Sequence, residues 1–227
     1  MMHLFVIAVL IAWPCSGELI ADEHAEIITS HNGIRSNVQP GAQNMLEMVY
    51  STELETEAQK LLDDNCKSRV TTAENQHVNY ATKQGEANWT KLIEEWGNEG
   101  GKYTYEGNKC DDSTNSCKHY LQVVWAAAEK VGCAKKECPS PSEKPSLKNE
   151  NKIVMLCLYD QGPAATPTVP YEQGDPCHNC DKTKYPTCPD KLCSTKLAIE
   201  TTTSSTTCVS SSGVLAMMSL LIGNHFN

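Results

Sequence analysis

Twelve cysteines and seven histidines are the groups in this 227-residue chain whose number and spacing could carry chemistry. Four cysteines stand as Cys177-x2-Cys180-x7-Cys188-x4-Cys193. Thiolates in such a run can hold zinc, but a four-cysteine zinc site needs two close pairs, and Cys188 and Cys193 stand wide apart. Disulfides are the expected state, because so many thiols point to an oxidising compartment. Six more cysteines, Cys66, Cys110, Cys117, Cys133, Cys138 and Cys157, lie upstream, and spacing alone leaves their pairing open. The chain has no Gly-x-Ser-x-Gly and no His-Glu-x2-His, so neither common hydrolase signature is present. Asn88-Trp89-Thr90 is the one sequon, which makes Asn88 the candidate glycosylation site. Lys plus Arg number 19 against 28 Asp plus Glu, a net charge of −9. That balance argues against nucleic-acid binding and against adhesion to an anionic membrane by charge alone.

The elements that must position these groups read in order. Residues 22–36 are expected to be helical, capped by Asp22, with Ile27, Ile28, His31 and Ile34 on one stripe. Ser51 caps a second helix over 51–66 with Leu54, Ala58, Leu61 and Leu62 on one face, and residues 67–85 read as irregular. Trp89, Leu92, Ile93 and Trp96 mark a third helix over 89–99. Residues 119–125 read as a helix turning into a β-branched stretch. Val131 to Ala134 reads as a short strand, and Ile153 to Tyr159 as a central strand, apolar nearly throughout. Residues 139–152 form the loop between them. This order suggests an α/β or α+β core ending near Pro163.

Outside the core the composition changes. Leu4 to Trp13 is an unbroken apolar run, too short for a bilayer, which takes about 20 residues. With Cys15 and Gly17 behind it, residues 1–17 read as a secretory signal cleaved after Gly17. Removing it leaves eleven cysteines and no change in net charge. Residues 164–193 are a cysteine-rich module with little to bury, so it needs staples. Residues 194–227 are a Ser/Thr-rich tail with a short hydrophobic end, Val214 to Ile222, and Cys208 stands alone in it. The tail resembles a glycolipid-anchor signal, the alternative being a flexible secreted tail.

Several motifs fall in an order that carries a resemblance. They are His31-Asn32-x2-Arg35, Glu53-Leu54-x3-Ala58-Gln59, Gly85-Glu86, Trp96-x2-Glu99-x3-Tyr103, His119-Tyr120-x-Gln122-Val123-Val124-Trp125, Val131-Gly132-Cys133 and Cys157-x-Tyr159. Together they resemble the CAP superfamily of cysteine-rich secretory proteins, venom antigens and plant pathogenesis-related proteins. The run Pro170-Tyr171-x2-Gly174-x2-Cys177-x2-Cys180 looks most like the helminth venom-allergen-like or activation-associated secreted proteins.

The resemblance implies a three-layer α-β-α sandwich over residues 18–163 with an open cleft, followed by the disulfide-rich hinge. It implies a tetrad of His77, Glu86, Glu99 and His119 in that cleft, a set whose imidazoles and carboxylates suit zinc. His31 is not carried into the tetrad and reads as structural. Three positions depart from the usual pattern: Leu121, Ala87 and Lys118, the last placing a positive charge beside the cleft. The implied disulfides are Cys66 with Cys138, Cys133 with Cys157, Cys110 with Cys117, Cys177 with Cys188, and Cys180 with Cys193. The implied function is that of an extracellular, non-catalytic protein that binds a sterol or other lipid, or a host protein, and modulates immune or haemostatic responses. It requires no cofactor, with zinc as the one candidate. The alternatives are a metal-dependent hydrolase using the tetrad and a surface-anchored glycoprotein.

Overall fold

The computed structural model describes residues 19–65, 77–111, 116–138, 152–163 and 168–195. The chain divides into two units, Met1–Leu197 and Ala198–Asn227, and every described residue belongs to the first. The segments expected to be a signal, a stalk and a hydrophobic tail lie outside the described residues, as do Cys66 and Cys208.

Among the described residues, four α-helices and six strands follow the order α1 (Ala21–Arg35), β1 (Val49–Tyr50), α2 (Thr52–Asn65), β2 (His77–Gln84), α3 (Trp89–Asn98), β3 (Tyr103–Thr104), β4 (Lys109–Cys110), α4 (Lys118–Val123), β5 (Lys130–Cys138) and β6 (Lys152–Tyr159). The main sheet runs β1-β5-β6-β2, and β3 pairs with β4 in a small hairpin. β6 lies antiparallel to both β5 and β2, while β1 runs parallel to β5.

The three layers follow from how β6 alternates. Met155, Cys157 and Tyr159 join a core with Ile27 of α1, Trp89, Leu92, Ile93 and Trp96 of α3, and Tyr120 and Val123 of α4. Leu156 and Leu158 point the other way, onto Ala58 and Leu62 of α2. A strand buried on both faces must be apolar at successive positions, which is why this one was plain in the sequence. Gly132 of β5 lets α2 come close: a Cβ there would lie 2.2 Å from the Glu55 amide nitrogen and 2.5 Å from the Ser51 carbonyl oxygen.

Several expectations need correction. Residues 77–84, read as irregular, form β2. It is an edge strand, and its core-facing side carries His77 and Asn79, so the apolar alternation that marks a strand is weak. β5 extends well past Ala134, through the Lys135-Lys136-Glu137 run to Cys138. Val124 and Trp125 form no strand; their amides bond back to Tyr120 and Gln122 and close α4. Asp22 lies inside the first turn of α1, where its charge favours the helix N-terminus, while Ile20 takes the cap position. Ser51 caps α2 as expected, its hydroxyl accepting from the Leu54 amide at 3.2 Å.

Four disulfides join described cysteines: Cys110–Cys117, Cys133–Cys157, Cys177–Cys188 and Cys180–Cys193. Cys133 and Cys157 stand directly opposite each other on β5 and β6. Cys138 is also disulfide-bonded, and Cys66, the partner implied for it, lies outside the described residues. The hinge is docked on the core through backbone bonds. Cys193 donates to the Met45 carbonyl and accepts from the Glu47 amide, both at 2.8 Å. Tyr105 donates its hydroxyl to the Tyr171 carbonyl at 2.8 Å, its ring stacked on Tyr171.

Candidate functional site

α3 ends at Asn98, and a single 3-10 turn, Glu99–Lys102, follows it. This turn aims the Glu99 carboxylate at the start of α4. One oxygen, Oε2, accepts the amides of His119 at 2.9 Å and Tyr120 at 3.2 Å. The other, Oε1, lies 2.6 Å from His119 Nδ1. An ionised carboxylate only accepts, so Nδ1 carries the proton. The Trp96 indole stacks on the imidazole with ring centroids 5.8 Å apart. Among the described residues no protein hydrogen bond reaches His119 Nε2.

The other two candidate residues come from β2 and the turn that follows it. His77 opens β2 opposite Tyr159 and is half-buried. Its imidazole packs over Gly162, where a Cβ would lie 2.4 Å from Nδ1 and 2.3 Å from Gln122 Oε1. The position after Gln161 therefore has to be glycine for His77 and Gln122 to converge there. Glu86 is exposed in the turn between β2 and α3. No three of the four candidate residues bring ligand atoms within 4.8 Å of one another. The structure thus hydrogen-bonds Glu99 to His119.

Lys118 does not aim its charge into this group. Its ammonium lies over the Tyr80 ring, 5.8 Å from the centroid. Asn88 is half-buried, and its amide oxygen caps α3 by accepting from the Lys91 amide at 2.8 Å, a bond that does not use the nitrogen a glycan would take. A cavity of about 270 Å³ lies elsewhere, between the end of α1 and the hinge, lined by Ser36, Val38, Ala42, Asp175, Pro176 and Lys191 among others.

Three buried polar groups escaped sequence reasoning. Arg35, 1% exposed, donates to the carbonyls of Leu46, Val123, Trp125, Ala126 and Ala128. It ties together two loops, and burial pulls its guanidinium down to about 9. Asn79, 1% exposed, donates to the His119 carbonyl at 3.0 Å. The Tyr159 hydroxyl meets His31 Nε2 at 2.9 Å, and burial raises its pKa far above the usual phenol range. Nothing in a single sequence marks such polar residues as buried, since periodicity reports apolar faces.

Comparison with known proteins places this geometry. The model of the CAP, or cysteine-rich secretory protein, family matches residues 28–159, more than half of the chain. Human cysteine-rich secretory protein 3 is 32% identical over 180 residues, covering 74% of this chain and 66% of that protein, so the chain spans just under two thirds of its length. The crystal structure of the hookworm platelet inhibitor superposes with a TM-score of 0.59 at 22% identity, covering 77% of this chain and 91% of that one. The structure of NaASP2 with Zn2+ gives a TM-score of 0.55 at 22% identity, covering 80% and 99%. By the match of residues 28–159, the chain belongs to the CAP, cysteine-rich secretory protein, family.

Proposed function

We propose that the protein is a secreted, non-catalytic binding protein whose ligand contacts lie outside the Glu99–His119 pair. The observation that carries this reading is the state of Glu99. Both of its oxygens are engaged, by the start of α4 and by the imidazole, so Glu99 is tied into the scaffold and is not left free as a base. The ligand is a sterol or other lipid, or a host protein, and the outcome is a change in host immune or haemostatic response. A structural neighbour named a platelet inhibitor supports the haemostatic version. Among the described residues only Ile20 and Val169 are large exposed hydrophobics.

A weak cation site is the second reading. A carboxylate holding Nδ1 of an imidazole is the usual outer support for a histidine that ligates zinc through Nε2, and a structural neighbour is described with Zn2+. Here His119 would be the principal ligand and His77 the second, with Glu99 as orienter. Zinc bound there would be a Lewis acid. With no three ligand atoms gathered, affinity is low.

Retention of labelled sterol by wild type, by a Glu86→Ala/Glu99→Ala variant and by disulfide-reduced protein tests the first reading. Wild type and variant should agree within a few-fold, and reduction should abolish retention, since the staples hold the scaffold. Loss in the carboxylate variant alone contradicts the reading. Retention by none of the three removes the lipid and leaves the protein partner.

A further inference from the structure

His119 is pinned through three of its groups. Glu99 holds its amide and its imidazole, and Asn79 of β2 holds its carbonyl. Behind Asn79 a buried chain of hydrogen bonds runs through the core. Asn79 Nδ2 lies 3.4 Å from the Tyr159 hydroxyl, which lies 2.9 Å from His31 Nε2, and His31 Nδ1 lies 2.8 Å from the Ile27 carbonyl. Its three side chains are at most 4% exposed.

Every proton in this chain has one possible placement. The Ile27 carbonyl only accepts, so His31 Nδ1 is the N–H and Nε2 is the acceptor. Tyr159 must therefore donate its hydroxyl to His31, and its oxygen accepts from Asn79. The amide of Asn79 is thereby oriented with its nitrogen toward His119. α4 has six residues and cannot hold its own geometry, because so short a helix is unstable without tethers.

We infer that Asn79 and Tyr159 are positioning residues for His119, holding the first turn of α4 on the sheet so that Glu99 fixes the imidazole as the Nδ1–H tautomer with its lone pair on Nε2. The inference rests on reading His119 as the donor of the weak cation site, and it adds that the core behind β2 sets how good a donor His119 is. A change at Tyr159, one residue removed from the imidazole's neighbours, reaches the site through Asn79.

The test compares Tyr159→Phe and Asn79→Leu with wild type by nitrogen NMR of the His119 ring and by calorimetric titration with zinc alone. Wild type should show the Nδ1–H tautomer. Both variants should show a mixture, with zinc affinity lower by about tenfold, the loss typical of an outer support. Leu62→Ala, in the layer on the far side of the sheet, controls for stability: it should lower the melting temperature and leave the His119 signals unchanged. If Asn79→Leu does not fold, Tyr159→Phe carries the test, since it keeps the ring. Unchanged tautomer in the folded variants overturns the inference, as does an equal shift in Leu62→Ala. If wild type binds no zinc, the cation reading falls, and the tautomer still decides the positioning role.

Discussion

At the scale of single residues, histidine burial sets a pH dependence. His31 is fully buried with both ring nitrogens bonded, and burial lowers its pKa from 6.5 to about 4. The folded state therefore resists a proton that the unfolded chain accepts. Stability from this group is complete above about pH 6.5 and is lost as pH falls toward 4, a difference of about 3 kcal/mol. Urea unfolding at pH 7 and at pH 4 should show that loss in wild type. His31→Gln, less stable at pH 7, should lose about 3 kcal/mol less between the two pH values. Equal losses in both proteins contradict the assignment. Arg35 makes the opposite choice: it stays charged inside the protein because five carbonyls replace the water it gives up.

At the scale of elements, the closest approach is that of α2 to β5 at Gly132. Gly132→Ala places a methyl group against backbone atoms of Ser51, Leu54 and Glu55, none of which can rotate away. The expected cost is at least about 2 kcal/mol, read as a lowered denaturation midpoint. A midpoint equal to wild type would mean that the two elements are further apart than described. The legibility of elements followed the same physics. α3 was plain because Trp89, Leu92, Ile93 and Trp96 all turn inward, and β6 because it is apolar on both faces. β2 was hidden because an edge strand beside the site carries His77 and Asn79 where a core strand carries Val or Ile. For the site, the resemblance alone singled out His77, Glu86, Glu99 and His119, since their residue types mark nothing by themselves, and the structure hydrogen-bonds Glu99 to His119. What the sequence could not tell was that Glu99 serves α4 as much as it serves His119. That role depends on a turn bringing a carboxylate to a helix start twenty residues later.

At the scale of the whole molecule, an acidic chain with four disulfides among its described residues docks its hinge on its core. Cys193 bonds to Met45 and Glu47, and Lys184 and Tyr185 reach Glu129 Oε2 at 3.1 and 3.0 Å. This places a second stapled surface beside the sandwich. Among the described residues no helix is long and apolar enough to cross a membrane. The central claim is that Glu99 is spent on holding His119 and α4 and does no acid–base work. The most direct measurement is initial hydrolysis rates on ester, peptide and phosphate substrates with added zinc, for wild type and for Glu99→Ala with its melting temperature checked. The account predicts no zinc-dependent rate in wild type above that of the variant. A zinc-dependent rate in wild type that disappears in a folded Glu99→Ala protein would contradict it.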